Sequence, residues 1–193
     1  TWQGTDTAIL SQTYDTKNAG SGKTLTPAAA ITDDNSGNNY NVTLVTNATG
    51  VINAKAVTVT GATASKTYDG GVVGTLALDF GSVAINGKIT GDDLSIDALA
   101  AAGTYDNKNV GTLHTVTVTG AALDGTDKNN YTLSAQPEIT TGVITAYAIT
   151  VTAQTATKTY DGDATSAVAP LVSVGTWQGT DTAILSQTYD TKN

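Results

Sequence analysis

One histidine, His114, stands among 17 acidic and nine basic residues, and the chain has no cysteine. Acyl-transfer chemistry of the Ser-His-Asp or Cys-His kind needs a histidine set between a nucleophile and a carboxylate. His114 falls in the strand-like run 113–118 with no such motif around it, so no catalytic residue is assigned. Glycoside hydrolysis needs two carboxylates flanking a cleft, and adjacent pairs such as Asp92 and Asp93 read instead as solvated turns. Two oxygen-rich stretches, residues 33–39 (DDNSGNN) and 124–130 (DGTDKNN), offer more. Calcium takes about six to eight hard oxygens and tolerates irregular loops. Asp33, Asp34, Asp124 and Asp127 are therefore its candidate ligands, and calcium is the one cofactor considered. Neither stretch has EF-hand spacing, and Asn, Asp and Gly are also the ordinary turn formers.

The pentapeptide K-T-Y-D-G occurs twice, at Lys66–Gly70 and Lys158–Gly162. Tyr68, Asp69 and Gly70, with Tyr160, Asp161 and Gly162, are singled out as a structural motif. The aromatic would plug the end of a small core while Asp-Gly turns the chain, and a ligand-binding tyrosine is the other reading. Trp2 and its copy Trp177 could stack on a sugar or fill a core. A Lys–Asn isopeptide crosslink needs a nearby acid, and no spacing selects a pair. The Asn-x-Thr triplets at Asn41, Asn47 and Asn130 arise readily in a chain this rich in Thr and Asn.

Positioning these residues falls to β-strands. Residues 57–60, 116–119, 131–133 and 148–152 alternate apolar and polar side chains with period two, which buries one face of a sheet and wets the other. Threonine suits such strands because its branched Cβ packs on a pleated surface. Turn signals fall between the strands at Asp69-Gly70, Asn86-Gly87, Gly91-Asp92, Asp124-Gly125 and Asp161-Gly162. Only residues 94–102 (LSIDALAAA) predict a turn or two of helix, with Gly103 to end it. The fold class expected is all-β: tandem small sandwich modules of immunoglobulin type, or β-grasp-like modules with 94–102 as the helix.

Residues 1–18 recur unchanged at 176–193, a period of 175 residues. An older repeat lies inside that period. A-[ST]-K-T-Y-D-G recurs at residues 64–70 and 156–162, and T-Y-D-[TN]-K-N at 13–18 and 104–109. N-N-Y recurs at 38–40 and 129–131, and T-G-V-I at 49–52 and 141–144. The anchors keep one order, so the chain divides into the C-terminal portion of a β module (1–55), a complete module (56–147) and the N-terminal portion of the next (148–193). Only residues 145–148 join the last strand of the complete module to the next strand, a short junction that should hold successive modules in line.

Composition narrows the class of function. The net charge is −8, the isoelectric point is near 4.2, and every basic residue is lysine. Nucleic-acid binders need a basic face to displace counterions, so no nucleic-acid partner is expected. Charged residues make up only 13%, well under the roughly 25% usual in soluble domains, and Thr, Asn, Ser and Gly carry the polarity. Absence of cysteine suits export without disulfide staples. No apolar run is long enough to span a bilayer as a helix, so direct membrane insertion is not expected.

At K-T-Y-D-G the sequence resembles the YDG-type and related MBG repeats of large bacterial surface proteins, including filamentous-haemagglutinin-like adhesins. Further parts of that pattern follow in order: Y-x-N-x-N-V-G at residues 105–111, V-T-V-T-G at 116–120, D-x-x-N-Y at 127–131 and G-x-I at 142–144. Residue 19 departs from it, being Ala where the complete module has Val110. The resemblance implies an extracellular stalk or adhesin repeat without a catalytic residue. Expected partners are further copies of the repeat in the chain and neighbouring chains, with residues 148–193 of one chain able to complete 1–55 of the next by strand exchange. Glycan or protein binding by each repeat, strengthened by multivalency, is the alternative.

Overall fold

The structure, a computed structural model, describes residues 2–73 and 77–191. The outermost residues of the repeated 18-mer, Thr1 and Lys192–Asn193, lie outside them. The described chain is β throughout, and its one helical element is the single 3-10 turn Lys128–Asn130. The first strands are β1 (Thr7–Tyr14), β2 (Gly20–Thr32), β3 (Asn47–Ile52), β4 (Lys55–Thr60) and β5 (Thr63–Thr67). After them come β6 (Ala77–Asp79), β7 (Ala84–Asn86), β8 (Ser95–Asp97), β9 (Ala102–Tyr105) and β10 (Gly111–Thr119). The last are β11 (Ala122–Asp124), β12 (Tyr131–Leu133), β13 (Glu138–Thr145), β14 (Thr150–Thr152) and β15 (Leu171–Val174).

Two compact units form. The first comprises Thr1–Thr58, Ile85–Asp97 and Ala122–Ala135. It holds an antiparallel sheet β1-β2-β3, a sheet β12-β4-β7 and the pair β11-β8. The β1–β2 ladder runs unbroken from Thr7 opposite Thr32 to Tyr14 opposite Leu25. β12 lies parallel to β4, with Tyr131 opposite Lys55 and Leu133 opposite Val57. Val57, Leu94 and Tyr131 pack together as a buried cluster, lined by Ile85 and Leu123.

The second unit comprises Val59–Ala84, Ala98–Ala121 and Gln136–Asn193. Its main sheet has the order β6-β5-β13-β10-β9, with β13 antiparallel to β10 and parallel to β5. The buried Tyr105, Val116, Ile139 and Ile144 come from that sheet. They fall every second residue along their strands, as a half-buried pleat requires. β14 and β15 form a separate antiparallel pair. Residues 56–147 contribute to both units.

The alternating runs fold as read: all four lie in or overlap strands β4, β10, β12 and β14. The Asp/Asn-Gly turns hold glycine at positive φ, as at Gly70 (+80°) and Gly125 (+102°), where a Cβ would be strained. The helix expected at 94–102 does not form. Residues 95–97 are strand β8, paired to β11, and Ala101 N–H bonds the Ala98 carbonyl in a turn that leads into β9. Leu94 is buried in the cluster with Val57 and Tyr131, while Leu99 is almost wholly exposed. A two-turn helix would have had to bury a continuous face. The helix that a β-grasp arrangement would place here is therefore missing.

Candidate functional site: the lysine-centred turn

β5 ends in the K-T-Y-D-G motif, and its lysine, which the sequence reading passed over, is the hub of the turn. The Lys66 side chain has no solvent exposure. Its Nζ donates to Asp69 Oδ1 at 2.6 Å, to the Gly71 carbonyl at 2.9 Å and to the Val73 carbonyl. Three ammonium protons thus meet three acceptors, which satisfies the charge a buried lysine must carry. The Tyr105 ring lies 5.9 Å away, within cation–π range. Asp69 also accepts the Gly71 N–H at 3.0 Å, and the Lys66 ammonium holds its carboxyl below the usual range. Gly70 supplies the left-handed residue between them.

The second copy repeats this geometry. Lys158 Nζ donates to Asp161 Oδ1 at 2.8 Å, to the Asp163 carbonyl at 3.1 Å and to the Thr165 carbonyl at 3.0 Å. A further bond to Asp163 Oδ1, at 2.8 Å, exists because the glycine at 71 is replaced by aspartate here. The ring nearest Lys158 is Tyr189, at 5.7 Å. Tyr105 and Tyr189 are the tyrosines of the two T-Y-D motifs. Their N–H groups bond the carbonyls of Val72 and Ala164, each six residues after its lysine. K-T-Y-D-G and T-Y-D are thus two halves of one device, a lysine capped by a tyrosine from a distant strand. Signal for this was present in the sequence, since both motifs begin with the same residue types in each copy.

The motif tyrosines themselves point elsewhere. Tyr68 donates its hydroxyl to Asp181 Oδ2 at 2.6 Å, with Lys108 Nζ 3.5 Å from the same carboxylate. That bond raises the Tyr68 hydroxyl and lowers Asp181. Tyr160 is 70% exposed and borders a cavity of about 360 Å³ lined also by Lys158, Asp163 and Tyr189. No plugged core forms at Tyr160.

A second device recurs at the N-N-Y tyrosines. Tyr131 donates to Asp92 Oδ2 at 2.5 Å and accepts the Ile89 N–H at 3.0 Å, while Asp92 N–H bonds the Ile89 carbonyl. Tyr40 donates to Asp6 Oδ2 at 2.6 Å and accepts the Gln3 N–H at 3.1 Å, closing the same turn. Trp2 stacks edge-on against Tyr40 at 5.3 Å. Burial and Asp92 push the Tyr131 hydroxyl up, and Asp6 does so for Tyr40.

The four calcium candidates are not gathered into one place. Burial pushes the Asp33 carboxyl up, but the N–H groups of Gly37, Asn39 and Asn35 outweigh it and hold the group below its ordinary value. Asp34 sits beside it at positive φ. Asp124 pairs with Lys128 at 2.9 Å, and Asp127 accepts the Asp93 N–H at 2.9 Å while Asp93 accepts from Thr126. Among the described residues no three His, Cys, Asp or Glu side chains converge as a metal site. His114 is buried in β10 with Nδ1 2.7 Å from Asp106 Oδ1, and its ring meets Tyr105 edge-on.

Both recurring devices have one complete instance between β4 and β13, and that stretch is also where a known family is recognised. Residues 53–139 match the YDG domain. The match takes in Lys66, its cap Tyr105 and the Tyr131–Asp92 clamp. Neither curated proteins nor solved structures gave a match to the chain. No helix among the described residues is long and apolar enough to cross a membrane, which leaves β-barrels aside.

Proposed function

We propose that this chain is a structural repeat segment of a secreted bacterial surface fibre or adhesin stalk, with no catalytic role. Its β modules, of sandwich type and divided near residues 55 and 147, would follow one another as an acidic extracellular rod or matrix filament. The observation that carries this reading is the repeated lysine cage. The charged and aromatic residues of the motif, Lys66, Asp69 and Tyr105, satisfy one another and leave no unpaired group for a substrate. An identical 18-residue sequence at a 175-residue spacing supports tandem copies. The net charge of −8 supplies solubility and repulsion between neighbouring rods.

The glycan- or protein-binding alternative is favoured by one feature, the open cavity beside the exposed Tyr160. Small-angle scattering on chains of one, two and three periods decides for or against the rod. A constant increment in maximum dimension per period supports it, and compact or flexibly coiled particles remove it. The same series with a chelator tests calcium, which would stiffen the rod only in its absence. A glycan array probed with wild type and Tyr160→Ala tests the alternative.

A further inference from the structure

Inside the YDG domain two parallel pairings join its first strands to its last. β12 lies along β4, and β13 lies along β5 with Val143 opposite Ser65 and Ile144 opposite Lys66. Each of these four strands has a counterpart elsewhere in the chain, and there the corresponding edges stand open. β14 is the counterpart of the end of β4. Its one strand neighbour among the described residues is β15, and nothing occupies the edge where β12 would lie. Val59 in β4 is 6% exposed, whereas its counterpart Val151 is 43% exposed. The counterpart of β12 is the segment after Tyr40, which forms no strand and leaves Val42, Leu44 and Val45 exposed. Residues 155–159, the counterpart of β5, are likewise unpaired. β3, the counterpart of β13, is an edge strand paired only to β2.

We infer that these edges are a head-to-tail interface between copies of this chain. Residues 147–159 of one copy take up residues 40–53 of a second as two parallel pairs. By the YDG-domain register, Val51 comes opposite Thr157 and Ile52 opposite Lys158. Both open edges present unpaired main-chain groups and exposed β-branched residues, the two requirements for strand addition. The occupant is specified because the domain itself shows which sequence covers each edge, and this chain carries that sequence. The two surfaces differ, so the contact is heterologous and does not close on itself; chains add end to end. The inference rests on strand edges and stands apart from the stalk reading: a flexible chain could still add end to end, and a rigid rod could still be monomeric.

Sedimentation velocity on the 193-residue chain, from micromolar to near-millimolar concentration, is the test. The expected result is a mass that climbs with concentration in steps of one 19.5 kDa chain. Thr157→Pro removes an N–H from an exposed, unpaired segment, and Leu44→Asp places a charge on the other surface. Circular dichroism establishes that each variant keeps the wild-type fold. Each variant alone is expected to stay monomeric, while an equimolar mixture stops at a dimer because one intact surface remains on each partner. A wild-type chain that is monomeric throughout overturns the inference. So does a closed dimer, or association that neither substitution changes.

Discussion

Lys66 and Lys158 perform the same task with different surroundings, and comparing them isolates what burial does. Lys66 is enclosed, while the Lys158 side chain is 25% exposed. Lys66→Met keeps the stem and removes the charge, leaving Asp69 and two carbonyls without their donor. Breaking a buried pair from one side is costly, and the expected loss is about 3 kcal/mol in urea denaturation. Lys158→Met should lower the midpoint less, because water can replace the ammonium. The carboxylates set the response to acid. Asp69, Asp92 and Asp181 are held below their ordinary value of 3.8 by Lys66, Tyr131 and Tyr68 respectively. Their contribution is complete above that value and is lost as pH falls through the lower folded values. Tyr40, Tyr68 and Tyr131 are raised above 10.0, so their contribution is lost as pH rises through the raised values. The urea midpoint should therefore be flat from about pH 5 to about pH 9 and fall on both sides.

At the scale of elements, the two copies of K-T-Y-D-G differ in what touches their glycine. Gly70 and Gly162 have φ of +80° and +86°. A Cβ on Gly70 would come within 2.8 Å of the Gly179 backbone, whereas one on Gly162 would meet nothing within 4 Å. Gly162→Ala should cost about 1–2 kcal/mol, the strain of a left-handed residue, and Gly70→Ala clearly more, read from the same denaturation curves. The repeated 18-mer shows how little a strand owes to its own sequence. Thr7–Tyr14 forms β1 against β2, yet its identical copy at 182–189 makes one isolated bridge, Thr165 to Thr188. Strand preference is largely a response to neighbours, and the copy has no strand like β2 alongside. The clamp turn behaves the same way. Its sequence at 3–6 receives Tyr40, and the identical 178–181 receives Tyr68. Asp181→Asn should therefore loosen Tyr68, seen as a blue-shifted or weakened tyrosine absorbance difference on unfolding, while Asp6→Asn leaves that signal from Tyr68 intact.

For the whole molecule, protection should follow burial rather than position in the repeat. Native-state hydrogen exchange is expected to be slowest in β10 and β13, whose residues Val116, Ile139 and Ile144 are at most 1% exposed. It should be fastest across residues 153–169, which form no named strand. The sequence by itself determined the β class, four of the strand positions, the Asp/Asn-Gly turns and the repeat anchors. Each of these follows from local rules: period-two burial, the glycine requirement at positive φ, and identity at a fixed spacing. Tertiary structure decided the rest. It made 95–97 a strand because β11 lay ready to pair with it, where local composition favoured a helix. It showed that the motif lysine, more than the tyrosine, organises the turn, since an ammonium's acceptors lie up to seven residues ahead and its aromatic cap arrives from a strand some 30 to 40 residues away. It also gave one 18-residue sequence two conformations. Pairing partners distant in sequence are what a chain cannot specify locally, and in a β protein they decide which strands exist.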